Sequence, residues 1–246
     1  MNTRPVRRRL SPVLRWGALA LWTLGGCGPD PVAASATGGV IISMDLLVYR
    51  DGRGTVTTAA FSTTAANELL LAFVASDGPP SGGQRATVSG AGLTWALVVR
   101  NNAQAGTSEI WKATAAMPLT NVTVRSVPSV TGYDQSLTVV VLSGASGTGN
   151  VAGASAPSGA PAVTLLSSAV GSWVFAVGND WDRAIARTLG ASQTMVHEWT
   201  DTGAGDDFWV QRLTTPTAAA GTPVLVNATA PTTDRWNLSA VEVVPR

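Results

Sequence analysis

The sequence predicts an all-β protein, a single antiparallel β-sandwich with two pseudo-repeated halves, and three observations lead there. Short apolar or alternating runs recur about every 10–15 residues, separated by Gly, Pro, Ser and Asn. Thr and Val fill those runs, and no window sustains a helical period of 3.6 residues. The second half also echoes the first at an offset of about 100 residues.

Strands are expected at 40–49, 54–61, 68–75, 85–89, 93–100, 107–114, 121–126 and 136–143. The second half offers 162–167, 172–177, 184–189, 194–200, 207–214, 223–228 and 236–244. Residues 69–75, 137–142, 173–177 and 238–244 carry apolar residues on both faces, so both faces of those strands should be covered. The echo is clearest in three places. Leu69-Leu70-Leu71-Ala72 matches Trp173-Val174-Phe175-Ala176, and Glu109-Ile110-Trp111 matches Asp207-Phe208-Trp209. Ser136-Leu137-Thr138-Val139 matches Asn237-Leu238-Ser239-Ala240. Residues 144–161, rich in Ser, Gly and Ala, read as a linker. The strand at 40–49 has no counterpart ahead of the second half, which favours one sandwich over two tandem domains. One domain is therefore expected over 40–246.

Charge narrows the partners. Residues 1–26 hold five of the 16 basic residues and none of the 15 acidic ones, so removing them leaves 11 against 15. No basic stripe remains, and nucleic acid is not an expected partner. Charged residues make up only 13% of the chain. A surface built from Thr, Ser, Ala and Gly is usual for exported β proteins.

Residues 1–26 read as a signal peptide, with Arg-rich residues 4–15 before the apolar segment 16–24. Leu24-Gly25-Gly26-Cys27 follows, and it resembles the lipobox of bacterial lipoproteins. The resemblance implies that Cys27, the only cysteine, becomes an acylated N-terminus. Residues 27–39 would then be the acylated Cys and a flexible tether. Two or three acyl chains anchor stably where one is marginal. With Gly28 after the cysteine, the resemblance implies the cell envelope, facing away from the cytoplasm, and the outer membrane of a Gram-negative cell. A membrane partner reached through the lipid anchor is thus expected.

A second resemblance concerns the strands. Gly90-Ala91-Gly92-Leu93-Thr94-Trp95 followed by Gly106-Thr107-Ser108-Glu109-Ile110-Trp111 is similar to an uncharacterised jelly-roll-like module of exported bacterial and phage proteins. The stretch from Leu137 through Ser/Gly/Ala to Val163 and on to Val177 fits the same pattern. It covers roughly residues 55–244 and implies a jelly-roll-like fold, but no activity and no functional residue.

The candidate site is Asn179, Asp180, Trp181 and Asp182, the densest polar and aromatic cluster, placed where the central strand 172–177 ends. Gly178 should free the backbone to turn, putting these four in a loop at one end of the sandwich. Two roles are open. Asn179 and Asp180 can bond turn amides while Asp182 pairs with Arg183 or Arg187. Alternatively these oxygens, with a second acidic loop at Asp201, Asp206 and Asp207, could ligate Ca²⁺, which takes six to eight hard oxygens. The structural role is the expected one, and no cofactor is expected, Ca²⁺ being the single candidate. Trp181 would offer a platform for a sugar ring, while Trp95, Trp111, Trp173, Trp209 and Trp236 belong in the core.

Catalysis is not expected. The lone His197 should be an exposed strand residue, with Glu198 on the opposite face, and no Gly-x-Ser-x-Gly elbow exists. Glu109, Glu198, Asp180, Asp182, Asp206 and Asp207 provide carboxylates without a readable pairing. The sequence thus leads to a surface-anchored lipoprotein with a non-catalytic binding or structural module, its expected partner a glycan or a cell-surface protein. The alternatives are a carbohydrate-active hydrolase and an adhesin or assembly subunit.

Overall fold

A computed structural model describes residues 40–246, and the signal peptide, Cys27 and the tether lie outside the described residues. The first eight strands are β1 (Ser43–Arg53), β2 (Val56–Thr57), β3 (Glu68–Ser76), β4 (Ala86–Gly90), β5 (Ala96–Asn101), β6 (Thr107–Ala115), β7 (Val124–Pro128) and β8 (Asp134–Ser143). The next eight are β9 (Ala145–Ala156), β10 (Ala162–Leu166), β11 (Trp173–Asp180), β12 (Thr188–Leu189), β13 (Gln193–Asp201), β14 (Asp206–Leu213), β15 (Pro223–Ala230) and β16 (Trp236–Pro245). No helix occurs among the described residues. All strand pairs are antiparallel.

The strands form four sheets. A five-stranded sheet β1-β8-β3-β6-β5 goes with a three-stranded sheet β2-β7-β4. A second five-stranded sheet runs β13-β14-β11-β16-β9, with β10-β15-β12 as its three-stranded companion. Adding eight to each strand number of the first half reproduces the order of the second. The described residues belong to one compact unit.

Alternation along four strands builds three cores. On β3, Leu69, Leu71, Phe73 and Ala75 enter a central core, while Leu70, Ala72 and Val74 enter a core of the first half. β8 divides likewise, with Val140 and Leu142 central and Leu137, Val139 and Val141 in the first half. On β11, Phe175 and Val177 are central, whereas Val174 and Ala176 join a core of the second half. β16 does the same with Val241 and Val243 against Leu238 and Ala240. Because side chains point to opposite faces at successive positions, a strand apolar at every position fits only between two layers. The central core therefore lies between the two five-stranded sheets, with the Phe73 and Phe175 rings 5.8 Å apart.

The expected linker at 144–161 is not a linker. Most of it is β9, twelve residues long, paired with β16 at the edge of the second large sheet. It is also the counterpart of β1 that the sequence did not reveal: β1 pairs with β8 as β9 pairs with β16. Small residues serve packing here. Ala152, Ala154 and Ala156 lie against the second-half core, while Gly153 lies against Asn101 of β5. A Cβ on Gly149 would collide with the Glu242 carboxylate, which accepts hydrogen bonds from the Asn150 and Ser168 amides at 3.1 and 2.7 Å. The strand expected at 54–61 shrinks to β2, with only a bridge from Phe61 to Val122 beyond it.

Polar contacts also join the halves. Ser108 and Ser239 hydroxyls lie 2.9 Å apart, and Ser239 Oγ donates to the Ser108 carbonyl at 2.9 Å. Asn237 Nδ2 donates to the Ala105 carbonyl at 3.1 Å and to Asn179 Oδ1 at 3.0 Å.

Phe175→Ala should lower stability by about 3–5 kcal/mol, the usual loss for a buried Phe. Because the cavity opens between the halves, urea unfolding should remain one transition at a lower midpoint. Two separated transitions in the wild type would show that the shared core does not couple the halves.

Candidate functional site

The residues singled out in the sequence do not form a loop. β11 runs on to Asp180, and the turn begins only at Trp181. Gly178 is a strand residue with another purpose than a turn: it pairs with Trp209 on β14, and a Cβ there would collide with the Trp209 indole. Asn179 and Asp180 are fully buried, whereas Trp181 and Asp182 are half-buried.

The side-chain oxygens of Asn179, Asp180 and Asp182 are all engaged. Asn179 Nδ2 donates to the Ala105 carbonyl at 3.1 Å, and its Oδ1 accepts from Asn237. Gly106 permits this approach, since any Cβ there would meet the Asn179 amide. Asp180 Oδ1 accepts the Asp182 amide at 2.7 Å, and Oδ2 pairs with Arg187 Nη2. Arg187 Nε donates to Asp207 Oδ2 at 3.2 Å, and its guanidinium lies 4.5 Å from the centre of the Trp209 ring. Asp182 pairs with neither Arg183 nor Arg187. It holds Arg235, with Nε at 2.8 Å from Oδ1 and the backbone amide at 2.7 Å from Oδ2. Arg183 turns instead to Asp234. Burial pushes the carboxyls of Asp180 and Asp207 up to about 7 against the pull of Arg187. Among the described residues, no three His, Cys, Asp or Glu side chains gather as a metal cage requires.

The expected second acidic loop is the closing end of the β13–β14 hairpin, where Asp201 lies opposite Asp206 and Thr200 opposite Asp207. Glu109 and Glu198 have structural partners. Glu109 receives Arg100 at 2.7 and 3.0 Å, the Ala86 amide at 2.8 Å and Trp111 Nε1 at 2.8 Å. Glu198 accepts the Arg187 amide at 2.6 Å. His197 is not exposed. It lies 3.0 Å from Asp51 Oδ1 and stacks on Tyr49 at 3.9 Å, joining edge strands of the two large sheets.

What the structure adds is a cleft. Strand ends from both halves meet in an open depression of about 320 Å³. The first half supplies Arg53, Asp77, Tyr133 and Asp134, and the second supplies Trp181 and Asp206. Trp181 is held by Arg235, whose guanidinium lies 4.8 Å from the ring centre and covers one face. A second cavity, about 60 Å³ and lined by Ile42, Met44, Leu142, Trp173, Phe175 and Arg212, has room for no more than a few atoms.

Asp77 is the residue that sequence reading missed. It follows β3 directly, and its backbone is pinned from three sides. Its amide donates to the Asp134 carbonyl at 2.9 Å, and its own carbonyl accepts Ser76 Oγ at 2.8 Å and Gln84 Nε2 at 3.0 Å. Gln84 is fully buried and also receives the Val130 amide at 3.0 Å, tying the segment to the turn before β8. Only 4% of Asp77 is exposed, its carboxyl lies beside that of Asp206, and its Oδ1 is buried with no hydrogen-bond partner. Burial first, and then Asp206, push the Asp77 carboxyl up to about 10. Burial also raises Asp206, partly offset by the bond from Asp77, and burial and Asp201 raise Asp134. The pair therefore shares one proton at neutral pH.

That proton links stability to pH. An Asp in an unfolded chain titrates near ~3.9, far below the folded value. Between about 4 and about 10 the folded protein keeps a proton that the unfolded chain has released, so stability falls as pH rises. One such proton is worth about 1.4 kcal/mol per pH unit. Asp77→Asn cannot ionise yet still donates to Asp206. Its stability advantage over wild type should grow steadily from pH 5 to pH 9, as read from urea midpoints. Parallel pH curves for the two proteins would contradict the shared proton.

No protein-family model matches this chain, and neither a curated protein nor a solved structure is significantly similar to it.

Proposed function

We propose that the chain is a lipid-anchored binding module of the cell envelope, non-catalytic, whose cleft takes a carbohydrate. The observation that carries this reading is Trp181. It stands in an open cleft with one ring face covered by Arg235, and Tyr133 and carboxyls from both halves are around it. Sugar rings lay an apolar face on an aromatic ring and turn hydroxyls toward carboxylates. Asn179, Asp180 and Asp182 frame the site, because their side chains hold Ala105, Arg187 and Arg235. Binding is favoured over hydrolysis, since Glu109, Glu198, Asp180, Asp182 and Asp207 are each engaged by structural partners.

The fold we propose is a jelly-roll-like antiparallel sandwich with two pseudo-repeated halves. The order β1-β8-β3-β6 set against β2-β7-β4, and its recurrence from β9 onward, support that reading. Nucleic acid is left out as a partner because the chain beyond residue 26 carries more acidic than basic residues. The anchor rests on Leu24–Cys27 alone.

Two experiments test the proposal. Wild type should retain particular oligosaccharides on a glycan array, and Trp181→Ala should weaken that retention at least tenfold, or about 1.4 kcal/mol. An array on which nothing is retained would remove the carbohydrate reading. Cys27→Ser should abolish labelling by a clickable fatty acid in cells, and equal labelling of both proteins would remove the anchor.

A further inference from the structure

The cleft is uneven in charge. Asp77, Asp134 and Asp206 line it, and Asp201 lies across the β13–β14 ladder from Asp206. Like charges directly opposite each other on a ladder are destabilising unless something offsets them. Arg53 is the one cation in the lining. Its side chain is 71% exposed and lies 3.5 Å from Asp134, so solvent screens much of its field.

The acceptors are also in excess. Asp77 Oδ1 is buried without a partner, at a residue 4% exposed and lining the cleft. A buried carboxyl oxygen left unpaired costs free energy until a donor arrives. Asp201 Oδ1 accepts the Gly203 and Ala204 amides at 2.9 and 3.3 Å, and as a carboxylate it has no donor to offer the cleft. A hydroxyl brings one donor together with acceptors, whereas an ammonium brings three donors, no acceptor and the missing positive charge. Trp181 adds an aromatic face toward which a cation is also drawn.

We propose that this cleft selects glycans bearing free, protonated amino groups over the same glycans in N-acetylated or acidic form. The proposal rests on the carbohydrate reading above and names the class of sugar. The ammonium sits among Asp77, Asp206 and Asp134, and the ring that carries it lies on the open face of Trp181. Burial raises Asp77, Asp134 and Asp206, and repulsion from neighbouring carboxyls, Asp201 among them, raises them further; that repulsion is relieved when the cation enters.

Calorimetry on the purified full chain at pH 6 decides it, using glucosamine oligomers, N-acetylglucosamine oligomers and uronic-acid oligomers of equal length. Glucosamine oligomers should bind at least tenfold tighter than the N-acetylated ones, and uronic-acid oligomers weakest. Asp206→Asn should erase that preference. Asp134→Asn, at a more exposed position, should reduce it and guards against a folding failure in the first variant. Trp181→Ala should weaken glucosamine and N-acetylglucosamine oligomers alike. Equal affinity for the free and acetylated oligomers, or a preference that survives both Asp variants, would overturn the charge selection while leaving the glycan reading in place. A simple diamine that binds as tightly as the amino sugar would overturn it too, because the sugar ring would then contribute nothing. If no oligomer binds at all, the carbohydrate reading falls and this proposal falls with it.

Discussion

The apolar layer between the two five-stranded sheets is the constraint on which the other features depend. β3, β8, β11 and β16 have no side that faces water, so each needs covering on both faces. One face is covered by a three-stranded sheet within the same half, and the other by the large sheet of the opposite half. Separating the halves would expose Phe73, Phe175, Val177 and Val243 together. At roughly 25 cal/mol per Å² of apolar surface, that exposure is prohibitive. Residues 40–246 are therefore one body even though their strand order runs through the same sequence twice.

Toward the other end of the interface the layer changes character. Ser108 meets Ser239, and Asn179 and Asn237 together hold the Ala105 carbonyl. Buried amides and hydroxyls of this kind are tolerated because each is satisfied by a partner across the interface. They fix the position of one large sheet over the other more sharply than apolar contacts do, since a hydrogen bond fails when its atoms shift by a fraction of an ångström. Beside them stands the buried group of Arg187, Asp180 and Asp207, in which one guanidinium answers two carboxyls and stacks on Trp209. The cleft opens just beyond this polar zone. Its walls come from both halves, and their alignment is only as good as the interface beneath them.

Much of the architecture is legible in the chain. Unbroken apolar runs at Leu69–Ala75 and Trp173–Val177 announce strands covered on both faces, because period-two alternation leaves no polar side. The positions of most other strands follow from Thr- and Val-rich alternation between turn residues. β9 escaped because all but two of its residues are Ser, Gly, Ala or Thr, a composition that resembles a linker. They are small because β5 and Glu242 come close to them. Local composition cannot distinguish a flexible segment from a strand kept slim by a neighbour about 90 residues away in the chain.

The candidate site divides the same way. Sequence alone marked Asn179 to Asp182 as a polar and aromatic concentration after a buried strand, and Trp181 within it as the strongest candidate platform. It also determined the all-β class, since turn spacing and alternation are local properties. Tertiary structure decided the rest. It continued β11 through Asp180, gave Asp182 to Arg235, and brought Asp77 beside Asp206 from 129 residues away. Asp77 had no sequence signal, as a single Asp after a strand is common at turns. Its unusual proton affinity comes first from burial and then from Asp206, and the contact with Asp206 exists only once the two halves are packed together.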